Sequence, residues 1–358
     1  MIWLLIPFIW GVIWMIGNAV CMPKMKGHDT SESISILVPL RNESARVEML
    51  VASLMRLQYP RVEFLLYDDA STDDTLQKLQ QLTARDARFT IVAGEGPPKG
   101  WHGKSYACWQ LSKRATGQLL LFIDADVTLH KQTLQKLSAT CQRLHADAVS
   151  GFAHFYNDSV LEKLLTPLLH FFIYFHLPIA IANRQKMIAA TAASGAFIAI
   201  KRHVYEAIGG HEAVKDEVVE DVALFRTVKR HGYRAIICHV ADDVSCAMYG
   251  DSKATWRGFQ KNCFKAFNES YVFATGVCLF YIVYFVLPII GLFTGSFVLA
   301  IPYMCITVQR IVSDYYAKQL GITSLFMPVS ACIYVSLLVY TMIAKKRHQT
   351  TYWKGRAL

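Results

Sequence analysis

The sequence has few charged residues. Only 18% of its 358 residues are Asp, Glu, Lys or Arg, whereas 53% are hydrophobic. A disordered chain has the reverse composition, with little apolar content and much charge, so disorder is excluded. The hydrophobic excess also argues against a purely soluble protein. The net charge of +10 leaves nucleic acid, anionic lipid and anionic small molecules open as partners.

The sequence also lacks the cysteine spacing of a zinc site or a disulfide framework. Nine cysteines are dispersed between Cys21 and Cys332, and none forms a C-x-x-C pair. An odd, scattered set is typical of a reducing compartment.

Three stretches contain no Asp, Glu, Lys or Arg, namely 1–23, 271–309 and 319–344. The first has no basic leader and no cleavage site, which is typical of a membrane anchor rather than a signal peptide. Because Lys24 and Lys26 follow it, the positive-inside tendency places the next segment in the cytosol.

The C-terminal stretches predict membrane segments between 271 and 344. Residues 271–309 exceed the roughly 20 residues of one span, so we expect two segments that turn near 291–295. A basic tail, 345–358, follows. Three complete spans would place this tail outside the cell, against the positive-inside tendency, so either one run is re-entrant or the rule fails here.

Residues 34–150 alternate between strand-like and helix-like patterns. We predict strands at 34–38, 63–67, 89–93 and 119–123, and a helix at 45–57. A second helix is expected to start near Ser71 or Thr72, with Asp73 and Asp74 in its first turn. This alternation predicts an α/β fold with a doubly wound, mostly parallel sheet, whose ligands bind beyond the carboxyl ends of the strands.

Acidic pairs follow two of these strands. Asp124 and Asp126 leave the strand at 119–123, where two carboxylates can hold Mg²⁺ or Mn²⁺ that bridges a substrate's phosphates. Asp68 and Asp69 close the strand at 63–67, where repulsion between them is costly unless solvent or ligand donors face them. Turn or cap formation is the alternative for both pairs.

Three further motifs are weaker. The glycine-rich stretch 94–104 ends in Lys104 and can contact a diphosphate, but Pro98 excludes a P-loop. Glu220 and Asp221 precede an apolar-periodic helix, as a cap or as a general base. Ser194 and Gly195 form a tight turn or permit close approach of a ligand.

Taken in order, these motifs resemble family-2 glycosyltransferases of the GT-A fold. The resemblance spans residues 33–265 and covers the following residues: Pro39–Glu43, Asp68, Asp69, Ser71, Asp73, Gly103, Lys104, Asp124, Asp126, Ser194, Gly195, Glu220 and Asp221. The stretch Gly-Trp-x-Gly-Lys (100–104) and the membrane segments are similar to enzymes that glycosylate carotenoid acids, of the diaponeurosporenoate type, or hopanoids. A more distant similarity is to ceramide glucosyltransferases.

The resemblance implies a role for each matched position. Pro39, Glu43, Asp68 and Asp69 would line the nucleoside pocket. Lys104 would lie near the donor, and Asp124 would contact the donor or the metal.

The remaining roles concern the metal and the reaction. Asp126 would bind Mg²⁺ or Mn²⁺, and Asp221 would be the catalytic base. Ser194, Gly195 and Glu220 are candidate acceptor or diphosphate contacts. The Q-x-x-R-W signature of processive members is absent from 254–262, which weakens a polysaccharide-synthase reading and leaves Arg257 and Lys261 as further diphosphate candidates.

The expected function is therefore inverting, metal-dependent transfer of a sugar from a nucleotide-diphosphate donor, UDP-linked by preference, to a membrane lipid. The expected location is the cell membrane with a cytoplasmic catalytic domain. A polysaccharide synthase, a ceramide-type glucosyltransferase and a non-enzymatic membrane scaffold are the alternatives. Residues 310–358 hold 7 basic and 1 acidic side chains, so the positive excess lies beside the membrane segments and nucleic acid is not an expected partner.

One more uncharged run, 164–183, is long enough to cross a membrane but contains Pro167 and Pro178. A span there would put Asp126 and Asp221 on opposite sides of the bilayer. We therefore expect this run to be interfacial or buried.

Overall fold

The computed structural model describes residues 2–184, 187–217, 219–347, 352, 353, 356 and 357. It divides into two compact units. The sheet unit comprises Met22–His154 and Pro178–Cys246, and the helical unit comprises Met1–Cys21, Phe155–Leu177 and Ala247–Leu358.

A seven-stranded sheet forms the centre of the sheet unit. Ten strands lie among the described residues between 34 and 246, and seven of them form this sheet. The ten are β1 (Ile34–Leu40), β2 (Val62–Asp69), β3 (Phe89–Gly94), β4 (Leu119–Ile123), β5 (Val127–Leu129), β6 (Ala148–Ser150), β7 (His154–Phe155), β8 (Phe197–Lys201), β9 (Ala235–Ile237) and β10 (Val244–Cys246). The order in the large sheet is β3-β2-β1-β4-β8-β6-β9. β8 is antiparallel to both β4 and β6, and the other neighbours are parallel. The predicted mostly parallel α/β fold is confirmed.

Helices flank this sheet. They are α2 (Val47–Met55), α3 (Thr75–Thr83), α4 (Gly103–Ser112), α5 (Thr133–Arg143), α8 (Ile179–Ala182), α9 (Arg202–Ala207) and α10 (Glu220–Arg230). β4, of sequence LLLFI, is buried along its whole length, as expected for a strand of a parallel sheet that is covered on both faces. Leu111 of α4 and Leu224 of α10 pack in one core with Phe122 of β4.

The second helix begins later than the sequence pattern predicts. α3 starts at Thr75 rather than near Ser71 or Thr72, so Asp73 and Asp74 precede it. Asp73 Oδ1 accepts the Thr75 amide at 3.1 Å. Such side-chain-to-backbone bonds favour a turn over a helix at these residues.

The helical unit contains α1 (Ile6–Cys21), α6 (Val160–Leu165), α7 (Pro167–His176), α11 (Ser252–Cys263), α12 (Tyr271–Tyr281), α13 (Phe297–Tyr316) and α14 (Met327–Lys346). A short β11–β12 hairpin (Tyr352–Trp353 and Arg356–Ala357) lies near the C-terminus. The remainder of the expected basic tail, 348–351, 354, 355 and 358, lies outside the described residues.

In the part of the chain that the structure describes, four helices are long and apolar enough to cross a membrane: Trp3–Cys21, Tyr271–Phe293, Phe297–Tyr316 and Met327–Lys346. The run 164–183 is instead divided among short helices, of which α7 with 10 residues is the longest. At about 1.5 Å per residue, such a helix covers only half of a hydrocarbon core about 30 Å thick.

α13 continues beyond the uncharged run and includes a buried ion pair. Arg310 and Asp314 are both fully buried, with Arg310 Nε 2.8 Å from Asp314 Oδ2. Arg310 also donates to Ser330 at 3.3 Å, and Ser324 donates to Asp314 at 2.7 Å. The pair therefore ties α13 to the start of α14.

An ion pair shows how the C-terminal helices are arranged. Lys345, at the end of α14, lies 2.6 Å from Glu269, just before α12, and the Tyr271 hydroxyl donates to the Met342 carbonyl at 3.3 Å. The start of α12 and the end of α14 are thus at the same end of the unit.

Candidate active site

The loops that follow β1 and β2 are hydrogen-bonded to each other. The Asn42 amide donates to Ser71 Oγ and the Glu43 amide to Thr75 Oγ1, each at 2.9 Å. Asn42 and Ala70 have φ of 52° and 50°, values that non-glycine residues adopt only when the surroundings enforce them. The two strand ends therefore form one fixed wall.

Asp68 and Asp69 lie in this wall and are only 3% and 4% exposed. Asp68 Oδ2 accepts the Ser71 amide at 3.1 Å, but its buried Oδ1 has no hydrogen-bond partner. A buried carboxylate oxygen without a donor is costly. Asp68 therefore presents an acceptor that suits an N–H or O–H group of a ligand.

Pro39 and Glu43 belong to the same wall. Pro39 pairs in register with Tyr67 of β2. Glu43 is buried and accepts from Arg46 Nη1 at 2.9 Å. The proposed nucleoside-pocket residues thus converge on the carboxyl ends of two neighbouring parallel strands, where doubly wound folds bind ligands.

Lys104 joins two acidic elements. Lys104 lies in the first turn of α4. Its Nζ is 2.6 Å from Asp124 Oδ1 and 3.4 Å from Glu220 Oε1. Burial alone would lower the pKa of Lys104, but the carboxylates of Asp124 and Glu220 raise it well above its usual value. Lys104 is therefore a permanent cation between the end of β4 and the start of α10.

Asp221 is held beside this cation by backbone donors. Its Oδ2 accepts the Gly195 amide at 2.9 Å, and its Oδ1 accepts the Val222 amide at 2.8 Å. A Cβ on Gly195 would lie 2.6 Å from Lys104 Nζ and 3.7 Å from Asp221 Oδ2. The missing side chain at 195 thus makes room for the ammonium group next to Asp221.

Burial raises the pKa of Asp221 to about 6, with Glu220 adding to the rise and Lys104 opposing it. A carboxyl group with this pKa is ionised at neutral pH yet remains a better proton acceptor than an ordinary aspartate. Ser194 supports the same loop, because its amide donates to Ser150 Oγ at 2.8 Å.

Asp126 occupies a different environment from Asp124. Burial, followed by the charge of Asp124, raises its pKa to about 7, and Arg46 opposes the rise. The Cys246 thiol donates to Asp126 Oδ1 at 3.4 Å. The positive charge of Arg46 therefore offsets only part of what burial and Asp124 do to Asp126.

The donor set fits a hard divalent cation. Among the described residues no group of three or more His, Cys, Asp or Glu side chains is arranged to hold a metal. Mg²⁺ characteristically uses one or two carboxylates together with substrate phosphates and water. Asp124 and Asp126 are the two carboxylates that would hold such a cation, and a divalent cation would offset the repulsion between them.

Two candidate diphosphate contacts belong to the other unit. Arg257 and Lys261 belong to α11 of the helical unit, whereas the other candidate site residues all belong to the sheet unit. Sequence reasoning also missed Arg46 and Cys246, which approach the acidic residues through pairing of distant segments. The one available signal was the position of Arg46 three residues after Glu43, within reach of an ion pair.

Comparisons with known proteins agree with this geometry. Residues 35–209 match the family model described as glycosyl transferase family 2. A 4,4'-diaponeurosporenoate glycosyltransferase of Staphylococcus haemolyticus is 27% identical over 212 residues, which are 58% of this chain and 54% of that protein. The enzyme of the same name from Staphylococcus aureus strain USA300 is 28% identical over 202 residues, 54% of this chain and 50% of the relative. The chain thus spans about half the length of the curated relatives it matches.

A solved structure supports the fold. The mannosyltransferase PcManGT from Pyrobaculum calidifontis, in complex with GDP-Man and Mn²⁺, aligns with a TM-score of 0.55 at 16% identity, covering 97% of this chain and 96% of that one. The resemblance seen in the sequence is confirmed: residues 35–209 match the glycosyltransferase family 2 model, and the fold is of the expected GT-A type.

Proposed function

We propose that this chain is an inverting, metal-dependent glycosyltransferase that moves a sugar from a nucleotide-diphosphate donor to a membrane lipid. The observation that carries the proposal is the cluster around Lys104, whose ammonium contacts Asp124 and Glu220 and lies beside Gly195 and Asp221. It combines a cation for a leaving diphosphate with a carboxylate for an acceptor.

The wall formed by the β1 and β2 ends binds the nucleoside. Asp68 has a buried oxygen without a donor, which suits the imide N–H of a uracil base or a ribose hydroxyl. Pro39, Glu43 and Asp69 complete this pocket. A UDP-sugar is the preferred donor.

Asp124 and Asp126 hold Mg²⁺ or Mn²⁺. When bound, the cation neutralises charge that develops on the leaving diphosphate. Lys104 provides a second positive charge from the protein, and it keeps the Asp124 carboxylate oriented through the contact at 2.6 Å. The related fold that carries Mn²⁺ with GDP-Man supports this assignment.

Asp221 is the base. An acceptor oxygen attacks the anomeric carbon while the bond to the diphosphate oxygen breaks, so the configuration inverts and the carbon passes through oxocarbenium character. Asp221 takes the proton of an acceptor hydroxyl, or positions an acceptor that is already an ionised carboxylate. The amides of Gly195 and Val222 hold the carboxylate for this task.

The acceptor is a carotenoid acid, a hopanoid or a similar lipid. The names of the curated relatives and the four helices able to cross a membrane support a lipid acceptor. We propose that the protein lies in the cell membrane with the sheet unit in the cytoplasm. Ser194, Gly195 and Glu220 are proposed contacts of the acceptor or the diphosphate.

Replacing Asp221 by Asn tests the proposal. Loss of a general base lowers turnover by about 10²- to 10⁴-fold, while binding of the donor nucleotide should persist. Asp216→Asn, at an exposed residue on the same approach to α10, is the matched control. The assay is mass spectrometry of extracted lipids for one added hexose. Near-wild-type turnover of Asp221→Asn contradicts the assignment, and a polymeric product would indicate a synthase.

A further inference from the structure

A basic face runs along the helix that precedes the C-terminal membrane segments. Lys253, Arg257 and Lys261 recur every four residues on α11, and Lys265 continues the series. Residues four apart lie on one face of a helix. Lys253 and Arg257 are exposed, and Lys261 and Lys265 are half-buried.

The other face of α11 is packed. Thr255 is fully buried, and Phe259 and Cys263 are each 7% exposed. Trp256 contacts Tyr340 of α14 with ring centroids 6.0 Å apart. α11 is therefore an amphipathic helix fixed against the helical bundle, with its basic face turned away from the packed side chains.

The end of α14 adds to the same face. Lys345 lies 2.6 Å from Glu269, which follows the basic series directly. Lys346 and Arg347 come next and are both exposed. The three basic residues at the end of α14 thus lie beside the start of α12, which the basic series of α11 precedes in the chain.

Acidic residues are fewer than basic ones in these segments, with two acids against seven bases over 247–270 and 345–347. Between residues 247 and 270 the sequence contains two acids, Asp251 and Glu269. Asp251 caps α11 by accepting the Ala254 amide at 2.7 Å, and Glu269 is paired with Lys345. The face keeps a large positive charge.

Apolar surface begins immediately beyond the charge. Val272 and Phe273, in the first turn of α12, are 86% and 60% exposed. A cluster of four to eight basic residues beside a membrane helix is the pattern that binds anionic lipid headgroups. An amphipathic helix with a basic polar face lies in the interfacial plane of a bilayer.

We propose that this basic face, formed by Lys253, Arg257, Lys261, Lys265, Lys345, Lys346 and Arg347, binds the phosphate headgroups of anionic phospholipids. The occupant is a lipid rather than a soluble anion because exposed apolar side chains adjoin the charges and provide a surface for acyl chains. The face gives the protein a preference for membranes that contain anionic lipid. This lipid binding is separate from the proposed sugar transfer and does not depend on it.

The test uses the full chain in detergent, titrated with phosphatidylglycerol or with phosphatidylcholine of the same acyl chains and followed by native mass spectrometry. The triple variant Lys253→Gln, Lys346→Gln, Arg347→Gln removes three exposed charges. The control variant Arg85→Gln, Lys131→Gln, Arg230→Gln removes three exposed charges from the sheet unit. Size-exclusion profiles show that both variants remain folded.

The wild type and the control should prefer phosphatidylglycerol, and the triple variant should bind it about tenfold more weakly or worse. Added salt should reduce the preference because it screens exposed charges. An unchanged preference in the triple variant, or an equal loss in the control, overturns the proposal. Competition by free glycerol 3-phosphate, or equally tight binding of a DNA duplex, assigns the face to another anion and overturns it as well.

Discussion

Adding one methyl group at residue 195 tests how closely Lys104 and Asp221 depend on each other. In Gly195→Ala the new Cβ would lie 2.6 Å from Lys104 Nζ. The backbone of Gly195 does not have a left-handed φ, so an alanine at this position is not strained. Because the Lys104 end is flexible, the ammonium should retreat while the backbone stays.

The size of the effect follows from the ion pair. Ordinary van der Waals contact begins at 3.4 Å, so Nζ must move by about 1 Å. The Lys104 ammonium and the Asp124 carboxylate are 2.6 Å apart. Increasing this separation by about 1 Å weakens their attraction by about 2 kcal/mol at an effective dielectric constant of about 20. Lys104 and Asp124 are 37% and 33% exposed, so solvent screening reduces this to about 1 kcal/mol. We expect kcat/KM to fall about fivefold.

The assay is steady-state transfer with a saturating acceptor and varied donor. Gly250→Ala is the control, because its Cβ would meet nothing within 4 Å. The melting temperature of Gly195→Ala should stay within the error of the control. Unchanged kcat/KM would refute the reasoning, because the ammonium would then have moved without consequence, and a large loss of stability would show that the backbone moved instead.

Further predictions concern other titrating and buried groups. Because Asp221 acts in its ionised form and its pKa is about 6, kcat/KM should rise as the pH rises through 6. Lys104 lowers the pKa of Asp221, so Lys104→Met should shift this rise to higher pH. A pH–rate profile of each protein measures both effects. Asp314→Leu should lower stability by about 3–5 kcal/mol because it leaves Arg310 buried without its partner, whereas the double variant with Arg310→Met should recover most of the loss in thermal unfolding. Lys229 Nζ donates to the carbonyls of Ala182, Met187 and Ala190 at 2.6, 3.3 and 3.0 Å. Lys229→Met removes these bonds and should therefore speed limited proteolysis within 182–190. An unchanged digestion pattern would contradict this role of Lys229.

Local patterns predicted the sheet and its acidic ends well. Apolar runs such as Leu119–Ile123 can be buried on both faces only as strands of a covered sheet, and acids placed directly after such runs must lie at a strand end. The start of α3 was predicted too early. The spacing of apolar residues carries no information on the hydrogen bond between the Asp73 side chain and the Thr75 amide. Hydrogen bonds from a side chain to the backbone of a residue nearby in the chain compete with helix formation.

The sequence by itself determined the fold class, the family and the presence of long apolar segments, since each depends on residues that are close together in the chain. Only the tertiary structure decided which distant groups meet. It placed Lys104 between Asp124 and Glu220, brought Ser330 to Arg310, and brought Glu269 to Lys345. These contacts depend on helix packing and loop paths, which no local periodicity specifies. They set the charge of the site and bring the end of α14 to the start of α12.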